Sequence, residues 1–149
     1  MKKENGFTLM ELIIAVSIIS FLTAIILPSF SILERAELKK AASELKMTII
    51  YAQNKSIKES KRHYVKFFKE QNVYIVGHEI FKPLDKKINL SDNIEIGQMV
   101  FNTPNKIQFT TRGTSGSSGT IYLQSKNFKL KLTVVPGTGR VKIYAIEKR

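Results

Sequence analysis

GFTLMELIIAVSIISFLTAIILPSF, residues 6–30, is the stretch that decides the fold. No charged residue occurs from Leu12 to Leu27. The 21 residues from Phe7 to Leu27 are enough, as an α-helix, to cross a hydrocarbon core of about 30 Å. The stretch therefore predicts an apolar helix over residues 7–29 that spans a membrane once.

Two simpler explanations of this stretch fit less well. A secretory signal peptide usually has an apolar region of about 7–15 residues that ends in a small-x-small cleavage site, whereas this run ends in LPSFSILER. A plain membrane anchor explains the length but not Glu11, because a carboxylate in hydrocarbon is costly and marks a functional site. Glu11 therefore requires a partner.

A cut after Gly6 would supply that partner. It would give Phe7 a new ammonium group, four residues before Glu11. Glu11 of one copy could then pair with the ammonium of a neighbouring copy, which would offset the desolvation of both charges and set the axial register of the two helices. This arrangement predicts that several copies assemble through their N-terminal helices.

The sequence G-F-T-L-M-E at residues 6–11, followed by the apolar run, resembles the class III signal of type IV pilins and type II secretion pseudopilins. The resemblance implies cleavage between Gly6 and Phe7 by a prepilin peptidase, and N-methylation of Phe7 by the same enzyme. Pro28 lies where such pilins often have a helix-kinking proline, and proline lacks the donor that a continuous helix needs.

The resemblance also implies a domain organisation. Residues 1–6 form a leader, residues 7–29 a transmembrane and later filament-core helix, and residues 30–149 an extracytoplasmic pilin-like head. The protein is expected in the bacterial cytoplasmic membrane, as a single-pass protein with a cytoplasmic N-terminus, and afterwards in a filament.

Small and apolar residues continue at helical spacing beyond Pro28, which predicts a second, amphipathic half of the helix over residues 30–57. They are Leu38, Ala41, Ala42, Leu45, Ile49 and Ala52. Ser31-x-x-Glu34 is a candidate capping box that restarts the helix after the proline. We expect the apolar stripe to pack on the globular head.

After residue 60 the pattern changes to β-branched and aromatic residues, so residues 62–149 are predicted to be mainly β. The expected strands are residues 62–70, 73–79, 94–101, 106–111, 120–124, 128–134 and 140–146. Gln71-Asn72 is expected to form a hairpin turn between the first two, and FKLKLTV at residues 128–134 alternates between apolar and polar residues. Residues 81–93 and the Gly- and Ser-rich residues 112–119 are expected to be loops, the second one flexible. The predicted fold class is α+β, with one long N-terminal helix packed on a C-terminal antiparallel sheet.

Residues 107–144 add a second resemblance, to the GspH/FimT group of minor pseudopilins and minor pilins. It depends on the strand spacing, the Gly-rich loop and Gly139-Arg140-Val141.

Signals for catalysis are missing from the sequence. Cysteine is absent, which excludes thiolate chemistry. His63 and His78 have no recognisable ligand set around them, so they are predicted to be structural or surface residues. Asp85 and Asp92 are too sparse for a calcium loop. GTSGSSG lacks a G-x-S-x-G elbow. The sequence predicts no enzyme, no metal and no cofactor.

Basic residues dominate the charge. Their excess gives a formal charge of +12, which favours acidic partners. Lys129 and Lys131 share one strand face, and Arg140 and Lys142 share a face of the last strand. If these strands pair in matching register, the four residues form a patch for DNA or another anion. The competing interpretation is a solvated face whose lysines prevent edge pairing.

Together these observations favour a structural minor pseudopilin or pilin in a type II secretion-type pseudopilus that serves protein secretion. A FimT-like DNA-binding minor pilin for competence and an unprocessed membrane-anchored binding protein are the alternatives. The expected partners are other pilin subunits, the prepilin peptidase, a secretion or pilus assembly platform, the cytoplasmic membrane before assembly, and DNA in the second case.

Overall fold

The described part of the chain starts with one long helix. The computed structural model describes residues 8–78, 84–117 and 119–149, without the side chains of residues 24–29. Helix α1 extends over Leu9–Lys58. This range contains no glycine, the residue that most weakens a helix after proline. The helix ends where Ser60 adopts a left-handed φ of 51°.

Eight strands follow within the described residues. They are β1 (His63–Phe68), β2 (Val73–Gly77), β3 (Lys86–Asn89), β4 (Glu95–Phe101), β5 (Lys106–Phe109), β6 (Gly119–Gln124), β7 (Phe128–Val134) and β8 (Val141–Lys148). The first sheet has the order β3-β2-β1-β5 and the second the order β4-β6-β7-β8. All six strand pairings are antiparallel. The fold is therefore α+β as predicted, but the strands form two sheets instead of one.

The core joins the helix to both sheets. Every residue of the predicted apolar stripe on α1 is at most 7% exposed, and it packs in one cluster with residues of both sheets. Strand β7 alternates between buried and half-buried positions along its whole length, which confirms the predicted alternation. Full burial of one such aliphatic side chain stabilises the fold by about 1.5–3 kcal/mol.

Asn72 connects the two sheets. It lies in the turn between β1 and β2 with a left-handed φ of 54°. Its Oδ1 accepts a hydrogen bond from the backbone N–H of Ile96 at 3.0 Å, and its Nδ2 donates to the carbonyl of Ile94. The predicted hairpin turn is thus also a link to the start of β4.

Two predicted loops are structured. Lys86–Asn89 pairs with β2 as strand β3, so the loop prediction for residues 81–93 is wrong there. The Gly- and Ser-rich segment was predicted to be flexible, yet Ser115 and Ser117 are 4% and 2% exposed. Gln53 of α1 donates hydrogen bonds to the carbonyls of Gly113 and Thr138, which ties this segment and the next turn to the helix.

The chain divides into two compact units, Met1–Glu34 and Arg35–Arg149. Helix α1 continues without a break through Pro28 and through residues 31–34. The prediction that the helix restarts at a capping box formed by Ser31-x-x-Glu34 is therefore wrong. The Pro28 side chain lies outside the described residues, and its kink stays a prediction. The predicted boundaries at residues 6, 29 and 57 likewise stay predictions.

Candidate functional site

Glu11 lies in the first turn of α1, where it forms a capping box with Thr8. Its Oε2 accepts hydrogen bonds from the backbone N–H and the hydroxyl of Thr8, both at 2.9 Å. In return, the backbone N–H of Glu11 donates to the Thr8 hydroxyl at 3.3 Å. The T-x-x-E spacing is the sequence signal for this cap, although no cap was predicted at this position.

The N-terminal part of helix α1 exposes apolar side chains on every side. Ten of them, between residues 9 and 22, are 49–75% exposed: Leu9, Met10, Leu12, Ile13, Ile14, Val16, Ile18, Ile19, Phe21 and Leu22. Phe30, Ile32 and Leu33 are 65%, 67% and 58% exposed. A contiguous apolar surface of this kind marks a membrane or protein interaction site.

Part of the predicted N-terminal site falls outside the described residues. Gly6 and Phe7, the predicted cleavage and methylation site, lie there, as do the side chains of residues 24–29 of the predicted span. Among the residues that are described, no helix is both long enough and apolar enough to cross a membrane.

The predicted basic residues meet on the outer face of the second sheet. Strand pairing sets Lys131 opposite Tyr122 and Lys142 opposite Thr133. Residues directly opposite in an antiparallel pair point to the same face, so Lys142 shares the face of Thr133. Thr133 in turn shares its face with Lys129 and Lys131, because successive strand residues alternate. Three lysines thus lie on one face, with a tyrosine beside them.

Several details modify this basic face. The register of β7 and β8 shifts between Leu130 and Leu132, so the two strands do not match along their whole length. Lys129 Nζ lies 3.3 Å from Glu147 Oε2, and Lys131 Nζ lies 4.9 Å from the centroid of the Tyr144 ring. Arg140 is exposed and directly precedes β8.

A separate cluster of titratable side chains lies at one end of the first sheet. His63, His78 and Asp85 bring one nitrogen or oxygen atom each to within 4.8 Å of the others. Burial raises the pKa of Asp85, but the hydrogen bond and charge of Lys55 outweigh this effect and hold the pKa below its usual value. The hydrogen bond to Asp85 correspondingly raises the pKa of Lys55.

The sequence alone did not predict this cluster. The signal was the predicted hairpin itself, because His63 and His78 flank its turn at similar distances along the chain. Asp85 gave no signal, since its segment was predicted to be a loop.

The N-terminal motif of the chain matches a known family model. Residues 1–27 match the prokaryotic N-terminal methylation motif, and the described helix and sheets have the long-helix, antiparallel arrangement of the pilin fold. The chain thus carries the N-terminal signal of type IV pilin-like proteins. Its N-terminus carries the class III prepilin signal, which is typical of membrane-anchored pilins.

One relative resembles this pilin-like protein along nearly its whole length. Competence protein ComGD of Bacillus subtilis (strain 168) is 23% identical over 144 residues, which cover 96% of this chain and 95% of that protein.

Solved structures share the fold. The type IV minor pilin FimU of Pseudomonas aeruginosa PAO1 superposes with a TM-score of 0.59 and 18% identity, over 75% of this chain and 91% of FimU. The minor pseudopilin EpsH from the type 2 secretion system of Vibrio cholerae superposes with a TM-score of 0.54 and 13% identity, over 73% of this chain and 97% of EpsH. The pilin-like protein is thus similar to minor pilins and minor pseudopilins.

Proposed function

We propose that this pilin-like protein is a minor structural subunit of an extracytoplasmic filament. One observation carries the proposal: the methylation motif leads directly into a helix whose apolar side chains are uncovered on every side between residues 9 and 22. Such a surface needs lipid or other apolar helices around it. In a filament subunit, lipid covers this surface before assembly, and identical or related helices cover it afterwards.

The precursor is a single-pass protein of the cytoplasmic membrane, with its N-terminus in the cytoplasm and its head outside. A prepilin peptidase removes residues 1–6 and methylates Phe7. The basic Lys2 and Lys3 precede the apolar run, and positive charge before a span favours the cytoplasmic side. An assembly platform then moves the subunit into the filament.

Glu11 pairs with the Phe7 ammonium of a neighbouring subunit in this proposal. Both hydrogen bonds from Thr8 fall on Oε2. A carboxylate has about four acceptor sites, so Oε1 can still accept from an ammonium while the capping box persists. The cap orients the carboxylate, and the neighbour neutralises it.

A matched pair of variants separates these two roles of Glu11. Glu11→Gln keeps an acceptor for the capping box, which accepts Glu or Gln, but removes the charge. Thr8→Ala breaks the cap and keeps the charge. We expect both variants to be cleaved, Glu11→Gln to be depleted from sheared filament fractions, and Thr8→Ala to be incorporated nearly normally. Normal incorporation of Glu11→Gln would contradict the charge pairing.

Processing is tested by intact-mass spectrometry of the protein purified from cells that contain an active prepilin peptidase. The expected mass begins at N-methylated Phe7. A chain that retains residues 1–6 under these conditions would refute maturation and support the unprocessed membrane-anchored binding protein instead.

Two machines are candidates for this filament. The sequence favoured a type II secretion-type pseudopilus. The near-full-length similarity to a protein named for competence supports a competence filament. Deletion of the gene distinguishes them: loss of transformation with normal secretion assigns the subunit to competence, and the reverse result assigns it to secretion.

DNA binding is the second candidate function. It is favoured by the single face that holds Lys129, Lys131 and Lys142 beside Tyr122 and Tyr144. Lysines neutralise phosphates and release counterions, while exposed aromatic rings stack on bases.

The test is salt-dependent retention of DNA by the full-length protein in detergent. We expect retention to be lost in the combined Lys129/Lys131/Arg140/Lys142→Ala variant and kept in Lys39→Ala, which removes an exposed lysine of α1. Equal retention by both variants would contradict the proposed interface.

A further inference from the structure

We propose that His63, His78 and Asp85 bind one divalent transition-metal ion, of which zinc fits best, at the end of the first sheet. The site lies apart from the N-terminal motif and from the basic face of the second sheet. The metal site can therefore be tested independently of filament assembly and of DNA binding.

The three donor atoms converge without being satisfied by the protein. His63 Nε2, His78 Nδ1 and Asp85 Oδ2 are each buried with no hydrogen-bond partner among the described residues. The His63 side chain is 0% exposed. Buried polar atoms in folded proteins are nearly always hydrogen-bonded, so three unsatisfied atoms within 4.8 Å of one another point to a ligand that all three share.

The two separations that involve Asp85 are close to those of a zinc tetrahedron. Zinc binds imidazole nitrogen and carboxylate oxygen at about 2.0–2.2 Å, so two ligand atoms of one tetrahedron lie about 3.3 Å apart. Asp85 Oδ2 lies 3.5 Å from His63 Nε2 and 3.6 Å from His78 Nδ1. His78 follows the last residue of β2, so its ring can turn toward His63 without breaking a strand pairing.

Glu59 lies outside this group of three but next to His63, and a rotation of its partly exposed side chain would make it the fourth ligand. Its Oε2 lies 3.3 Å from His63 Nε2, and its side chain is 38% exposed. The four donors then make a closed set of nitrogen and oxygen atoms, the type that zinc accepts in four-coordinate sites.

Neighbouring groups hold two of the ligands in the required orientation. His63 Nδ1 lies 3.2 Å from the carbonyl oxygen of Lys61. A proton on Nδ1 makes this contact a hydrogen bond and leaves the lone pair on Nε2, and metal-binding histidines are usually fixed in this way. Lys55 Nζ donates to Asp85 Oδ1 at 2.6 Å, which directs Oδ2 toward the histidines.

The donor set also selects the kind of ion. Calcium and magnesium prefer oxygen ligands throughout, whereas imidazole suits zinc, copper, nickel and iron. With neutral histidines, the charges of Glu59, Asp85 and Lys55 leave one net negative charge, so a divalent cation is attracted. The ligands come from the end of α1, from β1, and from the chain on both sides of the β2–β3 connection, so the ion would join the helix to three strands.

Zinc binding by the metal-free full-length protein tests the proposal. The protein is purified in detergent without a polyhistidine tag, stripped with EDTA, and titrated with zinc chloride by calorimetry in excess magnesium and calcium. We expect one zinc ion per chain, and a cobalt complex with the intense visible absorption of tetrahedral coordination. Absence of saturable zinc binding would overturn the proposal and leave a cluster of ion pairs closed by protonated histidines.

Variants locate the ion at these residues. His78→Gln and Asp85→Asn should each lower the zinc affinity by at least about tenfold, since even changes outside the ligand set cost about that much. Asp92→Asn, which changes an exposed carboxylate elsewhere, should leave the affinity unchanged. Circular dichroism of each metal-free variant checks that it is folded. Unchanged affinity in both ligand variants would refute the site.

Discussion

The basic face of the second sheet gives a quantitative prediction for DNA binding. Lys129, Lys131 and Lys142 lie on it, and the exposed Arg140, which directly precedes β8, is counted with them as a fourth cation. Lys129 is already paired with Glu147, whose carboxylate lies 3.3 Å from its ammonium. About three cations therefore remain to neutralise phosphates of duplex DNA, which predicts a slope of about −2.7 for log K against log[salt].

The slope translates into measurable affinities. Raising the salt fourfold, from about 50 to 200 mM, should weaken binding by the wild type about 40-fold. Lys131→Ala removes one phosphate contact, so the slope should fall to about −1.8 and the loss to about 12-fold. Glu147→Gln releases Lys129, so the slope should rise to about −3.6 and the loss to about 150-fold.

The assay is fluorescence anisotropy of a labelled duplex with the full-length protein in detergent, at four or more salt concentrations. Lys39→Ala is the matched control, since it removes the same charge from an exposed site on α1. A slope that changes equally in Lys39→Ala and Lys131→Ala would show that only the net charge matters. An unchanged slope in Glu147→Gln would refute the inferred neutralisation of Lys129.

Three further predictions concern the fold, and each is measured by chemical denaturation. Ile49→Ala, at a fully buried position of α1, should lower the free energy of unfolding by about 2–5 kcal/mol. Its control, Met47→Ala at a position 62% exposed, should change the free energy of unfolding by less than about 0.5 kcal/mol. Equal effects would mean that this half of α1 does not pack as described. Asn72→Ala should cost about 1–3 kcal/mol because it leaves the carbonyl of Ile94 and the N–H of Ile96, at the start of β4, without their partner. A neutral result would show that this link between the sheets contributes little to stability. Gly119→Ala should be destabilised by about 1–3 kcal/mol through overpacking, because a Cβ there meets the ring of Phe101; Gly116→Ala, where a Cβ meets nothing within 4 Å, is its control.

Local patterns predicted much of the fold. The alternation of FKLKLTV predicted strand β7 with its buried face, and the 3.6-residue spacing of Leu38, Ala42 and Leu45 predicted the face of α1 that packs on the sheets. Strand β3 was missed because Lys86–Asn89 has a single apolar residue. It is a strand because β2 offers it a hydrogen-bonding edge, with Tyr74 opposite Ile88.

The candidate sites were predicted in unequal measure. The four basic residues were named from the sequence, but the bulge beside Lys131 and the pairing of Lys129 with Glu147 depend on the register of β7 and β8. No ligand for the two histidines could be recognised in the sequence. Their partner Asp85 reaches them only because β3, which follows it, pairs with β2.

By itself, the sequence determined the N-terminal signal, the apolar helix and the α+β class. These features depend on runs of consecutive residues and on the short hydrophobic periods of helices and strands, which can be read without knowing the tertiary contacts. Only the tertiary structure decided the division into two sheets, the composition of the basic face and the meeting of His63, His78 and Asp85. Each of these depends on which distant strand supplies the neighbour, and that choice is made by packing and register rather than by local preference.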